Sequence, residues 1–129
     1  MAKKKEAKPP EYRIYFTSVR EEISQSNKTL LTVETTRVFR SFQYALTVRE
    51  QIQVKSFRLF IDGISVKPLT IPKTGSALVE RELPELKGVW DFYITNFSKE
   101  TSHFRLKFSK KGIDILLPPT KRFLELVLD

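Results

Sequence analysis

Cysteine is absent from the 129 residues and histidine occurs once. The first absence excludes a disulfide framework and any thiolate-bound metal. The second excludes a multi-histidine metal centre, so carboxylate oxygens alone would have to hold an ion. Glycine is scarce, at four residues, which leaves little material for a glycine-rich phosphate cradle. No Gly-x-Ser-x-Gly elbow occurs. No run of about eighteen apolar residues is present, so a membrane-spanning helix is not expected. These absences lead to an expectation of no cofactor, no metal and no enzymatic activity.

Positive charge is plentiful. Lys and Arg number 23 against 15 Asp and Glu, for a formal net charge of +8. Hydrophobic residues make up 40% of the chain, a share that belongs to a folded domain rather than a disordered one. Residues 1–11 carry Lys3, Lys4, Lys5, Lys8 and the Pro9-Pro10 pair. They read as a flexible basic arm ahead of one β-rich domain spanning 12–129. No apolar stretch follows the first lysines, so a secretory signal is not expected. The expected location is intracellular, either cytoplasmic or nucleoid/nuclear.

From Tyr12 onward the pattern is that of strands broken by turns every 8–12 residues. Tyr12 to Val19 and Thr29 to Val38 are rich in aromatic and β-branched residues, which suit a pleated, half-buried surface. Ser24 to Lys28 is a polar turn cluster. Ser41 to Gln53 fits a helical stripe and a strand alternation about equally, with the strand favoured up to Val48. Phe57 to Ile61, followed by Asp62-Gly63, predicts a hairpin returning through Ile64 to Leu69. Pro72 to Ser76 is a turn, Ala77 to Leu83 a strand, and Pro84 to Gly88 a turn. Val89 to Phe97, Phe104 to Phe108 and Ile113 to Leu117 follow as strands, separated by turns at Ser98–Ser102 and Lys110–Gly112. Thr120 is placed to cap a C-terminal helix over 120–129, with Phe123, Leu124, Val127 and Leu128 on one side. The expected fold is mainly β (α+β): a curved antiparallel sheet, small barrel or sandwich with that helix. The helix either buries in the core or forms a homodimer seam, with the dimer favoured.

The excess charge is located rather than spread. Residues 37–58 hold five cations against Glu50, and residues 99–111 hold five against Glu100. Concentrated positive charge is what polyanion binding requires. Alternate side chains in a strand share a face. Burying Phe104, Leu106 and Phe108 leaves Arg105 and Lys107 outward. The same alternation pairs Arg58 with Phe60 and Arg13 with Tyr15 on outer faces. Trp90, Phe92 and Ile94 form a core set, leaving Asp91, Tyr93 and Thr95 outward. Cations interleaved with flat rings suit unstacked bases and their phosphates. Single-stranded DNA or RNA is therefore the expected partner. Arg13, Tyr15, Arg58, Phe60, Tyr93, Arg105, Lys107, Lys110 and Lys111 are the candidate binding residues: Tyr15, Phe60 and Tyr93 stack bases, and the cations neutralise phosphates. The alternative is a protein-interaction or assembly module whose basic faces meet acidic partners.

Other chemistry has weaker support. His103, next to the Phe104–Phe108 strand, could touch phosphate or stack on a base, but the turn residue is the favoured reading. Glu80, Glu82 and Glu85 flank a turn and read as solvated acids rather than an acid–base pair. Asp62, Asp91 and Asp114 are scattered, without the spacing of a metal-dependent nuclease.

Lys110-Lys111-Gly112-Ile113-Asp114-Ile115, then Pro118-Pro119 and a segment with Phe123, Leu124 and Leu126, resembles the end of the positive-cofactor-four-like single-stranded DNA-binding proteins and their Whirly and Pur-alpha relatives. The resemblance covers about twenty residues. It implies a curved antiparallel sheet that grips single strands and a helix used for packing or dimerisation. On the matching positions it implies that Lys110 and Lys111 contact the nucleic-acid backbone and that Phe123 packs the helix. The Asp62-Gly63 pair, the strands before Val89 and the Leu116–Pro119 exit depart from that pattern.

Overall fold

Alternation of apolar and polar side chains turns most of the chain into strand. A computed structural model describes residues 10–21, 26–39, 43–67 and 75–128. Among the described residues there are nine strands and no helix, and so no helix long and apolar enough to cross a membrane. The strands are β1 (Tyr12–Glu21), β2 (Ser26–Phe39), β3 (Gln43–Gln53), β4 (Ser56–Lys67), β5 (Gly75–Leu83), β6 (Gly88–Thr95), β7 (Thr101–Ser109), β8 (Gly112–Leu117) and β9 (Leu124–Leu128). They form one sheet in the order β8-β7-β6-β4-β3-β5-β2-β1-β9. Neighbours are antiparallel except for β1–β9, β3–β5 and β4–β6, which are parallel.

The sheet curls almost closed into a barrel-like form, and aromatic rings fill its interior. Phe16 of β1 lies near one end of the strand order. Its ring meets Phe92 of β6 at 4.9 Å between centroids, and Phe104 and Phe108 of β7 at 6.1 and 6.0 Å. Phe92 and Phe104 stack at 5.1 Å with planes 10° apart. Around them are buried Ile14, Leu31, Val33, Phe57, Leu59, Ile61, Ile94 and Leu106. Full burial of each such side chain contributes about 1.5–3 kcal/mol. Trp90, expected in the core, is only half-buried, and its indole N–H donates to the Lys87 carbonyl at 3.2 Å.

Irregular places in the sheet have specific polar supports. The β2–β5 register shifts between Glu34 and Val38. Inside that shift the buried Thr35 hydroxyl accepts from the Ala77 N–H at 3.0 Å and donates to the Arg37 carbonyl at 2.8 Å. It stands in for ladder partners that the bulge removes. The β6–β7 turn is held by Asn96, whose side-chain oxygen accepts from the Glu100 N–H at 2.9 Å.

Three expectations need correction. The first is the C-terminal helix. Residues 124–128 form β9 instead, parallel to β1 from Tyr12↔Leu124 to Phe16↔Leu128. Leu124, Leu126 and Leu128 alternate with Glu125, so the segment also satisfies a strand pattern. A short helix has little stability of its own, whereas pairing with β1 supplies a hydrogen-bonded ladder and buries Leu124. The segment expected to form a helix and a dimer seam is thus a strand paired with β1. The second is the Asp62-Gly63 hairpin. β4 runs straight through both residues, and the β3–β4 register steps from Thr47↔Gly63 to Val48↔Ile61. Asp62 is the extra residue of a bulge. The chain turns earlier, at Val54-Lys55, where Lys55 adopts φ 58°. The third is Ser41–Gln53. Its described part is strand throughout, past Val48 to Gln53. The expected basic arm up to residue 9 and residues 72–74 of an expected turn lie outside the described residues.

Candidate nucleic-acid interface

β6 sits between β4 and β7, and its register sets the site. Arg58↔Tyr93 pairs β4 with β6, and Tyr93↔His103 pairs β6 with β7. All three side chains stand on the outer face, opposite Phe57, Phe92 and Phe104. Neighbouring strands are about 4.8 Å apart, so flat groups in one cross-strand row come into stacking distance. The Arg58 guanidinium lies 4.5 Å from the Tyr93 ring centroid. The His103 ring lies 4.4 Å from the same centroid, with planes 5° apart. Because the partners come from opposite sides of β6, they cover the two faces of Tyr93. The result is a three-membered ladder across the sheet, held by cation–π attraction and ring stacking.

The next row fixes this ladder. Asp91 pairs with Arg105 across β6–β7. Asp91 Oδ1 accepts from Arg105 Nε at 2.8 Å and from His103 Nε2 at 2.8 Å. An ionised carboxylate only accepts, so Nε2 carries the proton in that contact. Burial pushes the Asp91 carboxyl up. The hydrogen bonds and charges of Arg105 and His103 outweigh it and hold the group below its usual range.

The cationic face extends along β7. His103, Arg105 and Lys107 alternate outward, about 6.8 Å apart along the strand, and Lys110 and Lys111 sit exposed in the turn beyond. Lys107, Lys110 and Lys111 make no ion pair among the described residues. Arg58 is likewise without a carboxylate partner there and is exposed. Cations from the two separate basic segments thus share one outer face, Arg58 from the first and Arg105 and Lys107 from the second, with Lys110 and Lys111 in the turn at the end of β7. Phe60 lies on that face too, one row on, half-buried with the Arg49 guanidinium 4.9 Å from its centroid. Arg49 is in turn bound bidentately by Asp62, at 2.7 and 3.0 Å.

Arg13 and Tyr15 are not part of this group. They lie on β1, toward the other end of the strand order. Arg13 approaches Glu34 and Glu125 at 3.7 Å each. The Tyr15 hydroxyl donates to Glu34 at 2.6 Å, which raises its pKa. Both side chains are already engaged by acids.

His103 and Asp91 are not among the candidate binding residues read from the sequence, yet they belong to this arrangement. The expected strand began at Phe104, one residue after His103, which hid the shared parity of His103, Arg105 and Lys107. Asp91 was placed outward, but nothing in its own strand signals that Arg105 faces it. Among the described residues no group of three or more His, Asp and Glu gathers in a way that would hold a metal ion. No family model, no curated protein and no solved structure matches the chain.

Proposed function

We propose that this chain binds single-stranded nucleic acid, DNA or RNA, without catalysis, across the outer face of β4, β6 and β7. One observation carries the reading: Arg58 and His103, from two segments distant in sequence, flank Tyr93 on adjacent strands of one face, with Arg105 and Lys107 on the same face of β7. Lys107, Lys110 and Lys111 neutralise phosphates along the β7 edge of that face. The role of Tyr93 differs from a bare stacking platform, since Arg58 and His103 occupy its two faces. A base joins the ladder at its Arg58 end, because a guanidinium plane is itself a stacking surface. Phe60 contributes in the same way through Arg49. Arg13 and Tyr15 do not take part.

A single strand suits this surface better than a duplex. No helix is present among the described residues to enter a major groove. The resemblance to single-stranded DNA-binding families supports the reading only through Lys110 to Ile115, since the helix it implies is a strand. The test is a fluorescence-anisotropy series with single-stranded DNA, single-stranded RNA and duplex at two salt concentrations. Single strands should bind more tightly than duplex, with affinity falling as salt rises. Equal or tighter duplex binding, or affinity indifferent to salt, would remove the proposal.

A further inference from the structure

The two ends of the sheet are close neighbours. β8 pairs only with β7, and β9 only with β1, among the described residues. Residues 118–123 join them, and this connection is anchored on both sides. Thr120 exchanges bonds with His103, its N–H donating to the carbonyl at 3.1 Å and its hydroxyl accepting at 2.9 Å. Lys121 bonds the buried Ser102 hydroxyl through its own backbone. The Phe123 carbonyl accepts from the N–H groups of Glu11 and Tyr12. β8 and β9 therefore diverge from a fixed turn, and the barrel stays open between them.

That opening is a groove of about 460 Å³, within the size range of ligand sites. Ile115, Pro119, Leu124 and Leu126 line it, with Lys121 and Arg122 beside Glu125. β8 is an unusual edge. Gly112-Ile113-Asp114-Ile115-Leu116-Leu117 has one charge and no proline or lysine, and Ile115 and Leu116 are 47% and 49% exposed. Edge strands are ordinarily blunted by such residues because their free N–H and C=O groups template pairing. Here the free edge and the apolar groove coincide.

We propose that this gap is a docking site for an extended acidic peptide segment, apolar at alternate positions, which adds as a strand to the free edge of β8. The unpaired backbone groups of β8 supply the hydrogen bonds of strand addition. Alternate side chains enter between Ile115 and Leu126. Six residues of β8 span about 20 Å, which sets the length of the segment at five or six residues. Charge selects the occupant. Lys121 and Arg122 stand at the groove with Glu125, which Arg13 engages at 3.7 Å; Asp114 is the one acid on β8, and the whole chain carries +8. A second copy approaches against that repulsion, whereas an acidic segment is drawn in. The site is separate from the face around Tyr93 and does not rest on nucleic-acid binding.

The test titrates the full chain into a short fluorescein-labelled peptide of alternating glutamate and valine and follows anisotropy. The peptide should bind. Methylating its alternate backbone nitrogens should cost about tenfold or more, because strand addition needs those N–H groups. Lys121→Glu with Arg122→Glu should weaken binding about tenfold at low salt. Lys121 meets Ser102 through backbone atoms only, so that fixed turn survives the change. Ile115→Lys, at a half-exposed position, should abolish binding while far-ultraviolet circular dichroism and oligonucleotide affinity stay unchanged. The last control separates failure here from failure of the nucleic-acid reading. The proposal falls if the acidic peptide does not bind at millimolar concentration, or if the methylated or a lysine–valine peptide binds as well. It also falls if sedimentation shows that the chain dimerises and that Ile115→Lys abolishes the dimer.

Discussion

Replacing Lys107, Lys110 and Lys111 together by Gln removes three exposed cations without adding opposite charge. None of the three is buried or holds an ion pair among the described residues, so the fold has no need of them. If each neutralises one phosphate of a single strand, each contributes about 0.7 to the slope of log affinity against log salt. The triple variant should then lose about 2.1 from that slope. With the electrostatic part extrapolating to nothing near about 1 M salt, affinity at about 0.1 M should fall roughly a hundredfold, and at about 0.25 M roughly twentyfold. Anisotropy titrations of a labelled single-stranded oligonucleotide over that salt range give both quantities. Arg13→Gln is the matched control, because Arg13 sits on β1 and is engaged by Glu34 and Glu125. Its slope should equal that of the unaltered chain. A triple variant with an unchanged slope, or an Arg13→Gln slope reduced as much as that of the triple, would show that the interface is not the β4–β6–β7 face.

Three further outcomes follow from the packing and the polar supports. Phe92→Ala removes the ring that meets Phe16, Phe57, Phe104 and Phe108, and urea denaturation should show a loss of about 3–5 kcal/mol. Thr35→Val keeps the shape but leaves the Ala77 N–H unpaired at the β2–β5 bulge, so the same assay should show a cost of about 1–3 kcal/mol. A loss no larger than that of an exposed Thr47→Val control would contradict the bulge role. Asp91 has a carboxyl pKa lowered by folding, so in acid the unfolded chain binds its proton first and stability rises with pH. Its contribution is complete above the unfolded value of about 3.9 and is lost as pH falls through the lower folded value. Asp91→Asn should flatten that part of the acid-denaturation profile; an unaltered profile would mean that Arg105 and His103 do not stabilise the ionised form.

Side-chain alternation made the inner face of the sheet legible in advance. Phe57, Leu59 and Ile61, or Phe104, Leu106 and Phe108, can bury together only if the intervening residues point out, and they do. Local turn chemistry was a poorer guide. Asp62-Gly63 has the composition of a tight turn, yet β3 continues as a partner alongside β4 beyond Gly63, and that pairing keeps the chain extended. The pair marks a bulge, and the turn falls on Val54-Lys55, which has no glycine. At the C-terminus, Phe123 to Leu128 satisfies both a helical stripe and an alternation. The decision came from outside the segment, in the free edge of β1, which no local pattern in residues 120–129 records.

The candidate site shows the same division between what one strand can reveal and what a register adds. Alternation put Arg58, Tyr93, Arg105 and Lys107 on outer faces, but each strand's outer face looks alike in sequence. That Arg58 and His103 enclose Tyr93, while Arg13 and Tyr15 turn to Glu34, depends on β4 and β6 being parallel neighbours although β5 lies between them in the chain. That crossover also brings the first basic segment beside the second. A uniformly basic barrel would offer phosphate contacts on every side and no preferred path. Here Glu34 and Glu125 occupy Arg13 on β1, and Asp91 fixes Arg105 and His103 beside the ladder. The acids thus decide where positive charge remains available. They leave Arg58, Lys107, Lys110 and Lys111 unpaired around β4 and β7 among the described residues, and Lys121 and Arg122 unpaired at the separate β8–β9 groove.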